Sequence, residues 1–359
     1  MSSIWGEKVK ISIFGESHGK AIGVVLDGLP AGESLDLEEI SLQMSRRAPG
    51  RDLSSTPRKE SDLPEILSGF LDGKTTGAPL CAMIQNTNTR SGDYAQLKII
   101  PRPGHSDYPA YLRYKGCNDV RGGGHFSGRL TAPMLFAGAV CRQILRRRGV
   151  VIGAHVYSIR GVKDTPFDMT DIPESLLNRL SSQYFSVISE DAQSPMRAKI
   201  EEARLAQDSV GGVVECAVTG VPAGTGDTLF GGIEPVFSSI LFAIPACKGV
   251  EFGSGFGAAG MFGSENNDSY CFDGETVKTK SNHAGGILGG IATGMPIVFR
   301  TAFKPTPSIS REQESVNLNT GKNTALNVSG RHDPCIVPRA VPVVEAAAAV
   351  ALMNILPIV

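Results

Sequence analysis

The chain has 359 residues, with 35 lysines and arginines against 36 aspartates and glutamates. That length allows a large core in one or two domains, and the balanced charge gives no overall field to attract nucleic acid. The seven cysteines (Cys81, Cys117, Cys141, Cys216, Cys247, Cys271 and Cys335) are scattered, odd in number and lack a C-x-x-C, which argues against a disulfide framework and against a zinc site.

The opening MSSIWGEKVK has no apolar stretch of the signal-peptide kind. Residues 8–14 and 21–27 read as strands on either side of GESHG. GLPAG then turns the chain, and LDLEEISLQMSRR predicts a short helix ending on Arg46 and Arg47 before Pro49-Gly50. Residues 51–64 read as loop and GAPLCAMIQN as a strand. From Thr87 to Gly124 periodicity is weak and Gly, Pro, Arg and Tyr abound, and a loop of that length in a compact domain is usually functional. SGRLTAPMLFAGAVCRQILRRRG (127–149) is the strongest helix, with Leu130, Met134, Leu135, Ala139, Ile144 and Leu145 on one face, Ser127 as N-cap and Gly149 at the stop. A charged amphipathic helix over 194–207 and a strand at GGVVECAVTGVPAG follow. The apolar run Val341 to Val359 is interrupted by Glu345, Asn354 and Pro357, and reads as a buried helix rather than a membrane span. A soluble, cytoplasmic protein is expected.

GVVLDGLPAG (23–32) and VVECAVTGVPAG (213–224) each place a strand before G-L/V-P-A-G, and a predicted helix follows each, at 36–47 and 234–243. Two related halves are expected within a single domain over 1–359, since no Ser/Pro-rich linker divides them.

Gly15-Glu16-Ser17-His18-Gly19 fits G-x-S-x-G, the nucleophile elbow of serine hydrolases. That elbow needs strand, turn, helix, whereas the strand-like AIGVVLD follows here. Gly255-x-Gly257-x-x-Gly260 leads into loop composition rather than a helix, and GFLDGKT is one residue short of a phosphate-binding loop. Of the six histidines, His155 lies in a strand-like run and reads as structural. His18, His105, His125, His283 and His332 sit beside Gly, Ser, Arg or Asp, in loops of the kind that hold acid–base or anion sites. None has the spacing of usual metal ligands. Arg46, Arg47, Arg102, Arg121, Arg129 and Arg331 flank Gly, Pro or His, and arginine offers a bidentate fork to carboxylate or phosphate. For Arg46 and Arg47 the alternative is to complement a helix dipole, which is the favoured reading of Arg142 and Arg146–Arg148. Together these loops point to a small polyanionic substrate.

Three separated segments, GESHGKAIGVVLDGLP, GGGHFSGRLTAPMLFAGAV and GRHDPCIVPRAVPVVEA, closely resemble the chorismate synthase family, as do RPGHSDY, SNHAGGILGG and KPTPS. The likeness covers essentially the whole chain. It implies an α+β fold, a layered sandwich of mainly antiparallel sheets and long helices with an internal pseudo-two-fold repeat, assembled as a homotetramer. It also implies a lyase that removes phosphate from 5-enolpyruvylshikimate 3-phosphate by anti 1,4-elimination, with reduced FMN required and no net redox change. The substrate carries two carboxylates and a phosphate of roughly −1.5 to −2 charge, so desolvating it calls for several arginines.

By the same resemblance, His18 stands at the leaving phosphate, His105 faces the flavin and manages its charge, and Asp333 assists hydrogen removal beside it. Arg46, Arg47, Arg129 and Arg331 hold substrate anions. His125, Phe126, Ser127, Pro245, Ala246, Gly289, Lys304, Pro305, Thr306, Pro307, Ser308 and Arg331 match FMN-contacting segments. The chain departs from the family at Ala48, where many members carry a further arginine, and at His125-Phe126, which replace part of an Arg-Ser-Ser-Ala-Arg run. Some members reduce their own flavin with NADPH. No nicotinamide fingerprint is visible here, so an external flavin reductant is expected.

Overall fold

The structure, a computed structural model, describes residues 3–50, 62–87, 96–328 and 332–357. It is α+β. Two five-stranded antiparallel sheets enclose a layer of long helices. The first sheet runs Ile4–Trp5, Lys10–Gly15, Ala21–Asp27, Leu80–Gln85, Glu65–Ser68; the second runs Val162–Lys163, Val151–Ile159, Gly212–Thr219, Ile297–Phe303, Cys247–Phe252. In each sheet, once the two-residue edge strand at the first place is set aside, the other four strands stand in the same order: first, second, fourth and third along the chain.

The helices are α1 (Leu37–Arg47), α2 (Asp107–Arg113), α3 (Thr131–Arg146), α4 (Glu174–Leu180), α5 (Glu190–Leu205), α6 (Ile233–Leu241), the single turn α7 (Gly263–Asn266) and α8 (Val337–Ile355). α3 packs on the first sheet, α8 on the second, and the two on each other. Their approach is close enough that a Cβ on Gly138 of α3 would lie 2.2 Å from Ala346 of α8. α8 is long and apolar enough to cross a membrane, but 83% of its apolar window is buried in the protein, as expected of a core helix. One apolar cluster runs from Val9 to Leu356 and includes inner faces of both sheets.

Local chemistry explains the ends of the elements. The Asp36 carboxylate accepts the N–H groups of Glu38 and Glu39 and so caps α1, while the Gln143 amide pairs with both backbone groups of Asp36 and ties that cap to α3. α3 begins at Thr131 rather than at Ser127. Ser127 instead caps the tighter turn Gly128–Leu130 by accepting the Arg129 N–H. The two G-x-P-A-G turns share their backbone: φ is 88° at Gly28 and 81° at Gly220, and 83° at both Gly32 and Gly224. Between Thr87 and Gly124 the expected loop contains α2, whose Pro109 sits in the first turn, where proline is tolerated.

His155 is structural, as its strand position suggested. It is fully buried, with Nδ1 2.9 Å from Asp164 Oδ2 and Nε2 2.9 Å from Glu215 Oε2. Carboxylates only accept, so the ring donates from both nitrogens and is an imidazolium. Burial alone would lower its pKa, but the two carboxylates raise it above the ordinary histidine value. A folded-state pKa above the unfolded one gives stability that is fully present below the unfolded value, about 6.5, and lost as pH rises through the folded value. The melting temperature is therefore expected to fall as pH rises above the unfolded value of about 6.5, and His155→Gln to flatten that slope. Equal slopes for the two proteins would refute the imidazolium assignment.

Candidate active site

Loops from the N-terminal and C-terminal parts of the chain line one cleft of about 690 Å³, a volume within the range of small-molecule sites, about 300–1,000 Å³. Ser17, Gly122 and the run His125–Arg129 come from the N-terminal part. Arg102 and Gly104–Ser106 precede α2. Phe242–Lys248, Phe303, Lys304, Thr306–Ser308 and the start of α8 complete the wall. Among the described residues, six lysines and arginines line it (Arg47, Arg102, Arg129, Lys248, Lys304 and Arg339) against one carboxylate, Asp333. Phe242, Ile244, Phe303, Pro307, Ile336 and Val343 supply apolar surface.

GESHG is a turn between two antiparallel strands, Lys10–Gly15 and Ala21–Asp27, so no nucleophile elbow forms there. The buried His18 lies against the glycine run of the 121–126 turn. A Cβ on Gly122 would be 2.5 Å from His18 Cδ2 and 2.7 Å from Ser17 Oγ, and one on Gly123 would be 3.2 Å from His105 Nε2. Gly122, Gly123 and Gly124 all have positive φ (60°, 84° and 55°), which glycine adopts without penalty. Consecutive glycines thus bring His18 and His105, distant in sequence, to the same stretch of backbone.

His105 is anchored from behind. Its Nδ1 is 2.6 Å from Asp107 Oδ1, and Arg102 clasps the same carboxylate with Nε at 2.7 Å and NH2 at 2.8 Å. Arg102 NH1 donates to Ser308 Oγ at 2.9 Å, and Lys304 Nζ donates to the Gly104 carbonyl at 2.7 Å, so KPTPS is fastened to RPGHSDY. Burial, then Arg102 and Lys304, hold the His105 pKa below the ordinary histidine value despite the opposing effect of Asp107.

Arg47 and Arg129 converge on the fully buried carboxylate of Asp62, Arg47 at 2.5 Å from Oδ2 and Arg129 in contact with Oδ1. Burial would raise the Asp62 pKa, but Arg47 and Arg129 pull it below the ordinary carboxylate value. Burial lowers the Arg47 pKa to about 10, still charged at neutral pH. Arg339 donates from Nε to the Arg47 carbonyl at 2.7 Å and from NH1 to Asp333 at 2.5 Å, which ties Asp333 to the end of α1.

Several expected site residues stand apart from the cleft or meet it differently: His18 lies behind Gly122 and is not among the lining residues, whereas His125 and Phe126 line the cleft. Arg46 does not reach the cleft. It is buried under it, donating at 2.5 Å and 3.2 Å to the two oxygens of Glu345 and at 2.7 Å to Gln43. Arg142 does not serve the helix dipole but donates to the same Glu345 at 2.8 Å. The His125 ring is a strut between Ser3 Oγ (3.0 Å) and the Gly15 carbonyl (2.8 Å), so its side-chain nitrogens are already engaged within the fold. Phe126 leans on Tyr114, ring centroids 6.2 Å apart. Gly289 is the first central residue of a two-residue hairpin turn with Gly290, both at positive φ, and is not among the lining residues. Pro305 is likewise not among the lining residues, although Lys304 and Thr306 on either side of it are. Arg331 lies outside the described residues. Ser17, Asp62, Asp107, Lys248 and Arg339 join the site without having been singled out as binding or catalytic groups. Only Asp107 had a local signal, two positions after His105.

A family model described as chorismate synthase matches residues 9–356. Curated relatives named chorismate synthase include one from Lancefieldella parvula, 46% identical over 99% of this chain and 96% of its own length. Another, from Thermococcus kodakarensis, is 45% identical over 96% of this chain and 94% of its own. A solved structure described as a crystal structure of chorismate synthase superposes with a TM-score of 0.75 at 30% identity, covering 98% of this chain and 92% of that one.

Proposed function

The chain belongs to the chorismate synthase family and has that family's activity, a phosphate-eliminating lyase reaction of the shikimate pathway; from that premise we propose that the cleft takes 5-enolpyruvylshikimate 3-phosphate with reduced FMN beside it. The observation that carries this reading is the approach of His18 and His105 to the adjacent Gly122 and Gly123, with His105 and Gly122 lining, and His18 backing, a cleft that has six cations and one carboxylate among its described residues. A serine esterase using Ser17 has no support, because the helix such an enzyme requires after the turn is a strand.

The residues fit FMN by their donor set. The apolar wall around Phe242, Ile244, Phe303 and Pro307 suits a flat ring, and Ser127, Lys304, Thr306 and Ser308 offer donors to its polar edge and phosphate, with Phe126, Pro245 and Ala246 alongside. His125 would contribute through its backbone, since its ring is engaged elsewhere. We also keep Pro305, Gly289 and Arg331 in the proposed set, Gly289 through backbone groups alone. Bound reduced FMN supplies reversible electron density, so that elimination proceeds without net redox change.

The chain's own residues handle charge and protons. As the ring C–O bond to phosphate and the C6–H bond break and a new ring double bond forms, Arg47, Arg129 and Arg339 neutralise substrate anions in a site screened from water. His18 delivers a proton or charge to the leaving phosphate. His105 holds the proton balance on the flavin side, and Asp333, oriented by Arg339, assists removal of the C6 hydrogen. Asp62 is the carboxylate that keeps Arg47 and Arg129 side by side.

We read the chain as one domain built from two halves, supported by the shared strand order and by the matching φ values of the two G-x-P-A-G turns. A homotetramer is supported by the largely exposed Phe230, Phe256, Phe262 and Phe272. A cytoplasmic location is supported by seven free cysteines. The flavin is reduced by an external reductant.

The deciding assay is anaerobic phosphate release from 5-enolpyruvylshikimate 3-phosphate with reduced FMN supplied. Release with stoichiometric chorismate is expected. Flavin binding without any phosphate release would make the protein a binding module instead.

A further inference from the structure

We propose that Asp107 is a positioning residue for the reaction: it fixes the His105 ring with its Nδ1 proton pointing inward, so that Nε2 alone serves the cleft. The inference rests on the functional reading of His105 given above.

The geometry determines the tautomer. An ionised carboxylate has only acceptor lone pairs, and so does an unprotonated ring nitrogen, so a 2.6 Å approach of His105 Nδ1 to Asp107 Oδ1 requires a proton on Nδ1. Asp107 is ionised, since the donors of Arg102 and His105 hold its pKa far below the ordinary value although burial opposes this. Arg102 NH2 also lies 3.1 Å from Nδ1, but a guanidinium cannot accept; one of its two N–H groups goes to Asp107 Oδ1, 2.8 Å away, and the shorter 2.6 Å carboxylate contact is the one that requires the Nδ1 proton. The carboxylate itself cannot turn, because Oδ2 accepts both from the Arg102 backbone N–H at 3.0 Å and from Arg102 Nε at 2.7 Å. Every lone pair that could tilt it is engaged.

The other ring nitrogen, Nε2, lies toward Gly123, where a Cβ would be 3.2 Å from it, and His105 itself lines the cleft beside Gly122. Fixing one nitrogen by a carboxylate and leaving the other to the reaction is a recurrent way of setting a histidine's orientation and basicity. The same carboxylate orders Arg102, whose NH1 holds Ser308 Oγ on the facing loop. Asp107 therefore acts through two neighbours without touching substrate or flavin.

The test uses full-length protein labelled with ¹⁵N-histidine, with the His105 signals assigned by their loss in His105→Ala. Wild type is expected to show the Nδ1–H form. Asp107→Asn presents an amide N–H to donors at one of its two edges, so the ring signals should shift toward the Nε2–H form while the melting profile stays cooperative. Its kcat for phosphate release should fall about 10²–10⁴-fold, with a smaller change in KM. In a His105→Ala background the same substitution should cost almost nothing further, as expected of groups acting as a unit. An Nε2–H signal in wild type would overturn the proposal. So would a loss from Asp107→Asn that persists undiminished without His105, which would mean Asp107 acts structurally or through Arg102 alone. If the wild-type protein releases no phosphate, the functional reading fails, and the ring signals still decide the positioning claim.

Discussion

His18→Ala and His105→Ala are each expected to lower phosphate release by about 10²–10⁴-fold, the usual contribution of a positioned acid–base group, with folding unchanged. Both rings are partly or largely buried against Gly122 and Gly123, but neither is part of the main apolar cluster, so truncation removes chemistry rather than core packing. The check is single-turnover phosphate release under anaerobic conditions, alongside thermal melting. His18→Ala should act mainly on kcat, since a group that meets the departing phosphate contributes most as charge develops. Near-wild-type rates for both variants would show that the roles assigned to them are wrong. A truncated Arg47 or Arg129 should behave differently, weakening substrate binding and leaving flavin affinity closer to normal.

The largest stability effect is expected at a residue outside the cleft. Glu345 is fully buried and receives Arg46 and Arg142, the Ala154 N–H at 3.0 Å and, more weakly, the Ser181 hydroxyl. Burial would raise its pKa, but the two arginines pull it below the ordinary value. Glu345→Ala leaves two guanidinium groups without their counter-charge among α1, α3 and α8. Breaking a buried pair in this way costs about 3–5 kcal/mol, a large part of the roughly 5–15 kcal/mol that holds a protein folded. Equilibrium denaturation should show that loss. Replacing Glu345, Arg46 and Arg142 together by methionine should destabilise far less than the single change, because no unpaired charge remains. A wild-type midpoint for Glu345→Ala would mean that the two arginines find other partners.

What could be read beforehand and what could not divide along a physical line. His18, His105 and the long helices α3 and α8 rest on local signals, either a short run of residue types or an apolar periodicity; the structure has both helices, and it sets His105 on the cleft wall and His18 behind Gly122. Arg46 and Arg47 show where such reading fails. Neighbours on a helix point about 100° apart, so only one of an adjacent pair can face the cleft, and here it is Arg47. Which one depends on Glu345, 299 residues away from Arg46, and no local pattern contains it. Asp62 stayed hidden for the same reason, since it looks like any loop aspartate until Arg47 and Arg129 close on it. The anchoring of the His125 ring was not legible, because its partners, Ser3 and the Gly15 carbonyl, lie more than a hundred residues back.

The glycine run between the two histidines has a consequence for how this enzyme can vary. Most active sites tune the separation of their proton-handling groups through intervening side chains, which can be exchanged one methyl at a time. Here the spacer is bare main chain, since Gly122 and Gly123 leave no room for a Cβ against His18 and little against His105. The gap between the two imidazoles is therefore set like the rung spacing of a ladder, in whole peptide units. A change there would shift the gap by a full step or abolish it, while adjustment on a finer scale has to come from the residues that hold each ring from behind.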